Sequence, residues 1–375
     1  MIKKFFKWSL MVVLAVVLLV GAFGAHEWYA DKPFYANNFY NRAFLKYVLK
    51  SPEQLTSMGI LESIGLHGHN AEWDDESLAA RDEQFEYLQD VMASMALYSD
   101  EELTENELIS KRIVMELLGN PEQQRKFRFH SYPVNQISGA QISIPRFLDT
   151  FHRVNTVEDA EHYIARLSKI DTKLDQIMEG LLVREEMGII PPTFVIDKSV
   201  EIMQDFVDQP PQENVLYESF REKLEKADEV PAEARSDLLA RAEQEIVATV
   251  YPAYQGYIDY FTGLRAKSTT DAGVWKFPDG AEFYNYMLKV RTTTDMTADE
   301  IHRIGLEEVN RIQSEMMAIL DEQGYDTTQD FTTLIGQLAD EERFYYPDTD
   351  EGREQILADY RTIIEEIDSG LDEAF

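Results

Sequence analysis

Histidine and carboxylate spacing is the first place to look for chemistry in this chain, which has seven histidines and no cysteine. A zincin helix needs two histidines four residues apart, with a glutamate beside the first to act as base for a metal-bound water. His26-Glu27 is the sole pair in that order, and the fourth residue after His26 is Ala30, so the motif is absent. His67-Gly68-His69 could offer two imidazoles from a loop, but beside Asn70 and Asp74-Asp75 it reads as a solvated turn. Glu158 and His162 stand four apart and Asp159 and His162 three apart, on one helix face. A carboxylate-bridged metal site in a bundle uses that second spacing twice. Here it occurs once, and acidic residues near a helix start are favoured by the dipole anyway. The lack of cysteine removes thiolate zinc sites, iron–sulfur clusters, disulfides and a lipidated N-terminal cysteine. No G-x-S-x-G elbow, Walker loop or dinucleotide-binding glycine fingerprint is present. No metal ligand, catalytic residue or cofactor is therefore assigned within this chain.

One segment gathers polar chemistry in apolar surroundings: Phe129-His130-Ser131-Tyr132-Pro133-Val134-Asn135-Gln136-Ile137-Ser138-Gly139. Buried amides, hydroxyls and imidazoles must find hydrogen-bond partners. Such a loop either satisfies neighbouring helix ends or forms a cleft wall that orients a peptide or other polar substrate. On the second reading the substrate-facing candidates are His130, Tyr132, Asn135, Gln136 and Ser138.

The elements that must position this loop read as helix after helix. Leu78, Phe85, Leu88, Met92 and Met95 predict an amphipathic helix over 75–98. Thr104-Glu105-Asn106-Glu107 is a capping box opening a helix that closes at Gly119-Asn120. Asn155 as N-cap and Ile164, Leu167, Ile170, Leu174, Ile177 and Leu181 predict one helix running to Gly188, before Pro191-Pro192. A further helix over 232–264 turns Leu238, Ala242, Ile246, Ile258 and Phe261 inward and is kinked by Pro252. The stripe Tyr251, Tyr254, Tyr257 and Phe261 reads as core. A second capping box at Thr297–Glu300 feeds a helix to Gly324, and a last one spans 351–371. Residues 127–144, with Pro133 and Gly139 inside, are expected to be extended or irregular, with at most a short strand. The fold class is all-α, with no obvious seam.

The N-terminus sets the compartment. Lys3, Lys4 and Lys7 precede 18 uncharged residues, Trp8 to Ala25, which as a helix span about 27 Å, close to a bilayer core. Residues 1–25 thus read as a transmembrane signal-anchor, with positive charge inside. The body would lie on the periplasmic side of a bacterial inner membrane. A signal peptide cleaved after Ala22-Phe23-Gly24 is the alternative. Without the three lysines, the chain's net charge of −34 becomes −37 for residues 26–375. Such acidity argues against nucleic acid as a partner and against a polybasic grip on anionic lipid.

Tyr132 to Gly139 followed by Ile144-Pro145-Arg146-Phe147 resembles the bacterial "domain of unknown function 885" family. So do Asn155 to Ala160, Gly188-Ile189-Ile190-Pro191-Pro192 with Asp197-Lys198, and Tyr251-Pro252-Ala253-Tyr254. Trp275 to Gly280, Thr292 to Asp295, Glu300-Ile301-His302 and Gly305-Leu306 follow, all in the family's order over residues 130–320. The resemblance implies an exported, largely helical protein from a family commonly regarded as zinc metallopeptidases. Their metal motif, of the H-E-x-x-P-G-H-H type, lies in the C-terminal part. No such motif stands here, so zinc is implied only for the complete family and no ligand carries over. The likeness is expected to cover the family's N-terminal portion only. Residues 26–375 would then be one helical domain, incomplete at its C-terminus and inactive alone. Two functions compete: the helical part of a membrane-anchored, metallopeptidase-like protein with a peptide substrate, and a non-catalytic helical module for peptides or a partner. A merely structural, tethered acidic domain is a third.

Overall fold

The computed structural model describes residues 2–374, without the side chains of residues 2–7, 9–10 and 372–374. Lys3, Lys4 and Lys7, on which the orientation of the N-terminal stretch rests, lie outside the described side chains. The described chain is all-α and has no strand. It divides into two compact units, Met1–Thr294 and Asp295–Phe375, a division that no shift in composition marks.

The first unit begins with α1 (Ile2–Tyr29), α2 (Ala36–Val48) and α3 (Pro52–Met58), followed by α4 (Leu78–Ala96), α5 (Glu105–Leu118) and α6 (Pro121–Phe127). Local chemistry explains the starts. Ser51 caps α3 by accepting from the Gln54 N–H, with Pro52 at the first helical position. Thr104 and Glu107 close the expected capping box of α5, and Asn120-Pro121 starts α6 in the same way as α3.

The core lies in the helices that follow: α7 (Ala140–Thr150), α8 (Val157–Leu167), α9 (Ile170–Glu186), α10 (Thr193–Val207), α11 (Val215–Lys226), α12 (Ala232–Glu245), α13 (Tyr251–Leu264) and α14 (Gly280–Thr292). Ala160, Tyr163, Ile164 and Leu167 of α8 are buried at helical spacing against Phe220 and Leu224 of α11 and Leu238 and Ala242 of α12. The Tyr163 and Phe220 rings stack at 4.5 Å. Buried tyrosines also tie helix to helix through their hydroxyls. Tyr163 donates to the Leu216 carbonyl at 2.8 Å, Tyr254 to Gln141 at 2.9 Å and Tyr257 to Leu174 at 2.6 Å. Burial raises all three phenols well above their usual range.

Two local expectations are corrected and a third is made specific. The extended segment ends at Gly139, because α7 begins at Ala140 and carries Pro145 in its interior. A proline there removes the bond that would reach the carbonyl four residues back, Gln141, and the Tyr254 hydroxyl occupies that carbonyl. The helix expected from Asn155 to Gly188 is two helices, and its N-cap is Thr156. The Trp73 indole donates to the Arg166 carbonyl at 2.9 Å, taking the acceptor a continuous helix needs at Ile170, and the chain breaks at Ser168-Lys169. The 232–264 helix is interrupted as Pro252 requires, through a π-helical turn at Ile246–Val250.

The second unit holds α15 (Ala298–Glu322), α16 (Phe331–Ala339) and α17 (Asp350–Ala374). The Thr297–Glu300 capping box forms as expected. Within this unit Ile304, Ile312 and Ile319 of α15 and Leu357, Ile363 and Ile367 of α17 are exposed.

The Tyr254–Gln141 bond is testable. Tyr254→Phe should leave a buried carbonyl unsatisfied and cost about 1–3 kcal/mol, read as a lower urea midpoint at unchanged slope. Adding Pro145→Ala restores an N–H for the same carbonyl, so the double variant should recover part of the loss. Strict additivity of the two changes would refute the pairing.

Candidate functional site

The loop from Arg128 to Gly139 is folded by its own polar groups. The Asn135 carboxamide oxygen accepts from the Ile137 and Ser138 N–H groups, both at 3.0 Å, and its nitrogen donates to the Tyr132 carbonyl at 3.1 Å. Gln141 donates to the Asn135 carbonyl at 2.6 Å. A Cβ at Gly139 would collide with the backbone of Asn135, so only glycine permits this approach. The Tyr132 hydroxyl donates to the Ile190 carbonyl at 3.2 Å, and burial pushes its pKa up to about 12. Tyr132-Pro133-Val134 thereby meets Ile189 and Pro191 across a void of about 10 Å³, room for at most a single water.

The five candidates thus take different places. Tyr132 and Asn135 are engaged in holding the loop, Gln136 is half-buried and Ser138 is exposed. His130 is buried in a nest of Phe127, Phe277 and Phe283, with ring centroids 5.1, 5.6 and 5.1 Å away. Neither of its nitrogens has a hydrogen-bond partner. Burial lowers its pKa, helped by Lys126 and Arg184 and opposed by Asp279. Behind the loop Arg184, only 4% exposed, donates to the Ser131 carbonyl at 2.9 Å and the Gly180 carbonyl at 2.8 Å. It forms no ion pair among the described residues.

A second polar centre joins α3, α7 and α8. Arg166 is fully buried and donates to the Glu72 and His69 carbonyls, the Thr56 hydroxyl and His152 Nδ1. A guanidinium only donates, so His152 Nδ1 carries a lone pair and its Nε2–H donates to the Asp159 carbonyl at 3.1 Å. That tautomer is neutral. Burial first, then Arg166, holds the His152 pKa well below its usual value.

His67 and His69 do not share a ligand site. His67 Nδ1 faces Asp159 at 3.2 Å, while His69 Nε2 faces Glu62 at 3.1 Å. The turn is docked on α8 instead of solvated, with Asn70 buried. Asp159 accepts from the Asn155 and Thr156 N–H groups as the cap of α8, and His162 Nδ1 is buried without a partner. The zinc implied for the complete family finds no fitting donor set here: among the described residues no three His, Asp or Glu side chains converge.

Sequence reasoning passed over a pocket of about 160 Å³ on the side of α4, lined by Leu78, Arg81, Gln84, Phe85, Leu88, Arg128 and Phe129. The periodicity of Leu78, Phe85 and Leu88 reads as core, and only their incomplete burial distinguishes a pocket wall from a packed face.

A family model described as "Bacterial protein of unknown function (DUF885)" matches residues 52–375. The match extends well beyond the 130–320 stretch that carries the motifs, which corrects the expectation of a likeness to the family's N-terminal portion alone. No curated protein matches the chain. A crystal structure described as that of a putative lipoprotein from Colwellia psychrerythraea is similar at TM-score 0.74 and 23% identity, over 89% of this chain and 60% of that one. A structure described as that of a putative lipoprotein of unknown function from Shewanella oneidensis is similar at TM-score 0.58 and 16% identity, over 89% of this chain and 57% of that one. The chain therefore spans about three-fifths of the length of these two, and the likeness shows a shared fold.

The histidines predict an acid-sensitive fold. His130, His152 and His162 all titrate below their ordinary 6.5 because of burial. The unfolded chain takes up these protons near pH 6.5 while the folded one does not, so their stability contribution is complete above that pH and is lost as pH falls below it. His130→Phe removes two orphaned nitrogens from an aromatic nest. It should add about 1 kcal/mol at pH 7 and flatten the decline of the urea midpoint between pH 6.5 and 5. An unchanged acid slope would show that His130 takes up its proton in the folded state.

Proposed function

The chain belongs to the bacterial DUF885 family, and on that footing we propose that it is an exported helical binding module tethered to the inner membrane, with its body in the periplasm. The observation that carries this reading is α1. Its stretch Met11–Tyr29 is long and apolar enough to cross a bilayer, and none of its most apolar window is buried. Leu19 is 70% and Val20 65% exposed, surface that a soluble core helix would cover. The described likenesses to lipoproteins fit an exported protein, although this chain has no cysteine to carry a lipid.

The end of α1 supports a retained anchor over a cleaved signal. Glu27 accepts from the Phe34 N–H and the Asn38 carboxamide, both at 2.9 Å. Arg42 of α2 donates to the Glu27 carbonyl at 3.0 Å and the Ala30 carbonyl at 2.8 Å, and His26 stacks on Phe34 at 4.0 Å. The last turns of the apolar helix are thus built into the body. A cleavage near Ala25 would cut within a continuous helix, just ahead of residues that α2 needs.

Binding suits the body better than catalysis. Its polar loop holds its own shape, His152 braces Arg166, and a metallopeptidase-like reading would need a donor set that the described residues do not bring together. A peptide or a protein partner at the surface around residues 128–138 is the corresponding ligand class.

Membrane retention decides the tether. After alkaline carbonate washing the full chain should stay in the membrane pellet, and N-terminal sequencing should read residues upstream of Ala25. A soluble product starting near Ala25 would replace the anchor with a cleaved signal.

A further inference from the structure

The body is strongly acidic, yet four arginines converge beside α4. Arg128 lies 4.8 Å and Arg184 5.2 Å from the Phe129 ring centroid, and Arg125 lies 5.3 Å from that of Phe85. Arg81 lines the same pocket as Arg128 and is close enough to Arg184 to oppose its charge. Carboxylates answer only part of this. Arg81 pairs with Glu76 at 2.7 Å, Arg128 pairs with Asp82, Arg125 stands 3.9 Å from Asp82, and Glu179 accepts from the Leu78 N–H at 3.3 Å. Glu76 is also shared with Lys173 at 3.5 Å. Arg184, the most deeply buried of the four, has carbonyl and hydroxyl acceptors only. Asp82 is thus shared by Arg125 and Arg128, and Glu76 by Arg81 and Lys173, so each carboxylate beside this pocket answers two cations; Arg184 lies behind Phe129 and does not line it.

The walls give the rest of the ligand. Phe85, Leu88, Leu78 and Phe129 present apolar surface to a space of about 160 Å³, below the roughly 300–1,000 Å³ of drug-sized sites. That space takes one residue-sized apolar group and is too short for an extended acyl chain. Arg81 and Arg128 sit at its rim with forked donors suited to a carboxylate. We propose that this pocket binds a small carboxylate bearing one residue-sized apolar group, the apolar part against Phe85, Leu88 and Phe129 and the carboxylate between Arg81 and Arg128. A free acylated amino acid and the last residue of a peptide share that chemistry. The inference rests on the reading of the chain as a binding module and specifies what one of its sites takes.

The test titrates the full chain in detergent micelles with N-acetyl-phenylalanine, its carboxamide, and the peptide Ala-Ala-Phe, by calorimetry at low and moderate salt. The acid should bind at least tenfold more tightly than the carboxamide and weaken as sodium chloride rises. Arg128→Gln and Arg81→Gln should each reduce affinity at least fivefold, while Arg241→Gln, on an ion pair with Glu161 elsewhere, should not. Tighter binding of Ala-Ala-Phe than of the free acid assigns the ligand to a peptide end, and equal binding assigns it to a free acid. Either arginine variant suffices if the other fails to fold. Equal affinity for acid and carboxamide, or binding that survives both arginine changes, overturns the proposal. Membrane retention scored on the same preparations shows independently whether the tether stands.

Discussion

A guanidinium sealed from water must find acceptors in the few directions its donors point, and Arg166 finds them in separate parts of the chain. Thr56 belongs to α3, His69 and Glu72 to the turn that follows it, and His152 to the end of α7. Its face lies within 5.0 Å of the Phe147 ring centroid and 5.4 Å of that of Trp73. Burial drags its pKa down to about 10, with Glu53, Asp74, Glu62 and Glu72 pulling the other way. The charge therefore persists at any physiological pH, and so does the demand for acceptors. Truncating such a group strands several carbonyls at once, which makes it more consequential than any single apolar contact. The tautomer of His152, the placement of Asp159 and the docking of the 67–73 turn all follow from it.

The same logic of carbonyls and donors recurs where the backbone departs from regular helix. Pro145 leaves Gln141 without its helical donor and Tyr254 supplies one; Trp73 claims the Arg166 carbonyl and the helix stops. Pro252 is admitted by a π-helical turn. In each case the irregularity is matched by a side chain or a wider turn, so the core closes without unpaired main-chain groups at these points.

Helix positions were largely legible because their signals are local. The boxes at Thr104 and Thr297 and the inward face of Leu238, Ala242, Ile246, Ile258 and Phe261 are set by residues close in sequence. What was not legible depends on distant partners. The break at Ser168 is caused by Trp73, some ninety residues away, and the tolerance of Pro145 depends on Tyr254. Family blocks such as Tyr132–Gly139 and Gly188–Pro192 stand out because they pack on one another; the same sequence could not say whether Tyr132 and Asn135 face a substrate or close a loop. Arg81, Arg128 and Phe129 carry no periodic signal, since a cluster drawn from α4, the end of α6 and α9 exists only once those elements meet. The exposed stripes of α15 and α17 show the converse, apolar periodicity without burial.

The junction between α1 and α2 also has a mechanical side. A helix of 28 residues is about 42 Å long, longer than the roughly 30 Å bilayer core, and its last turn is tied across the short 30–35 connection to α2 by Glu27, Arg42 and Asn38. On the proposed tether, a tilt or roll of α1 in the bilayer would be passed through these contacts to the adjoining α2. If α1 crosses the bilayer as proposed, such a lever would set which side of the neighbouring helices looks along the membrane, and a change in bilayer thickness would reorient them together.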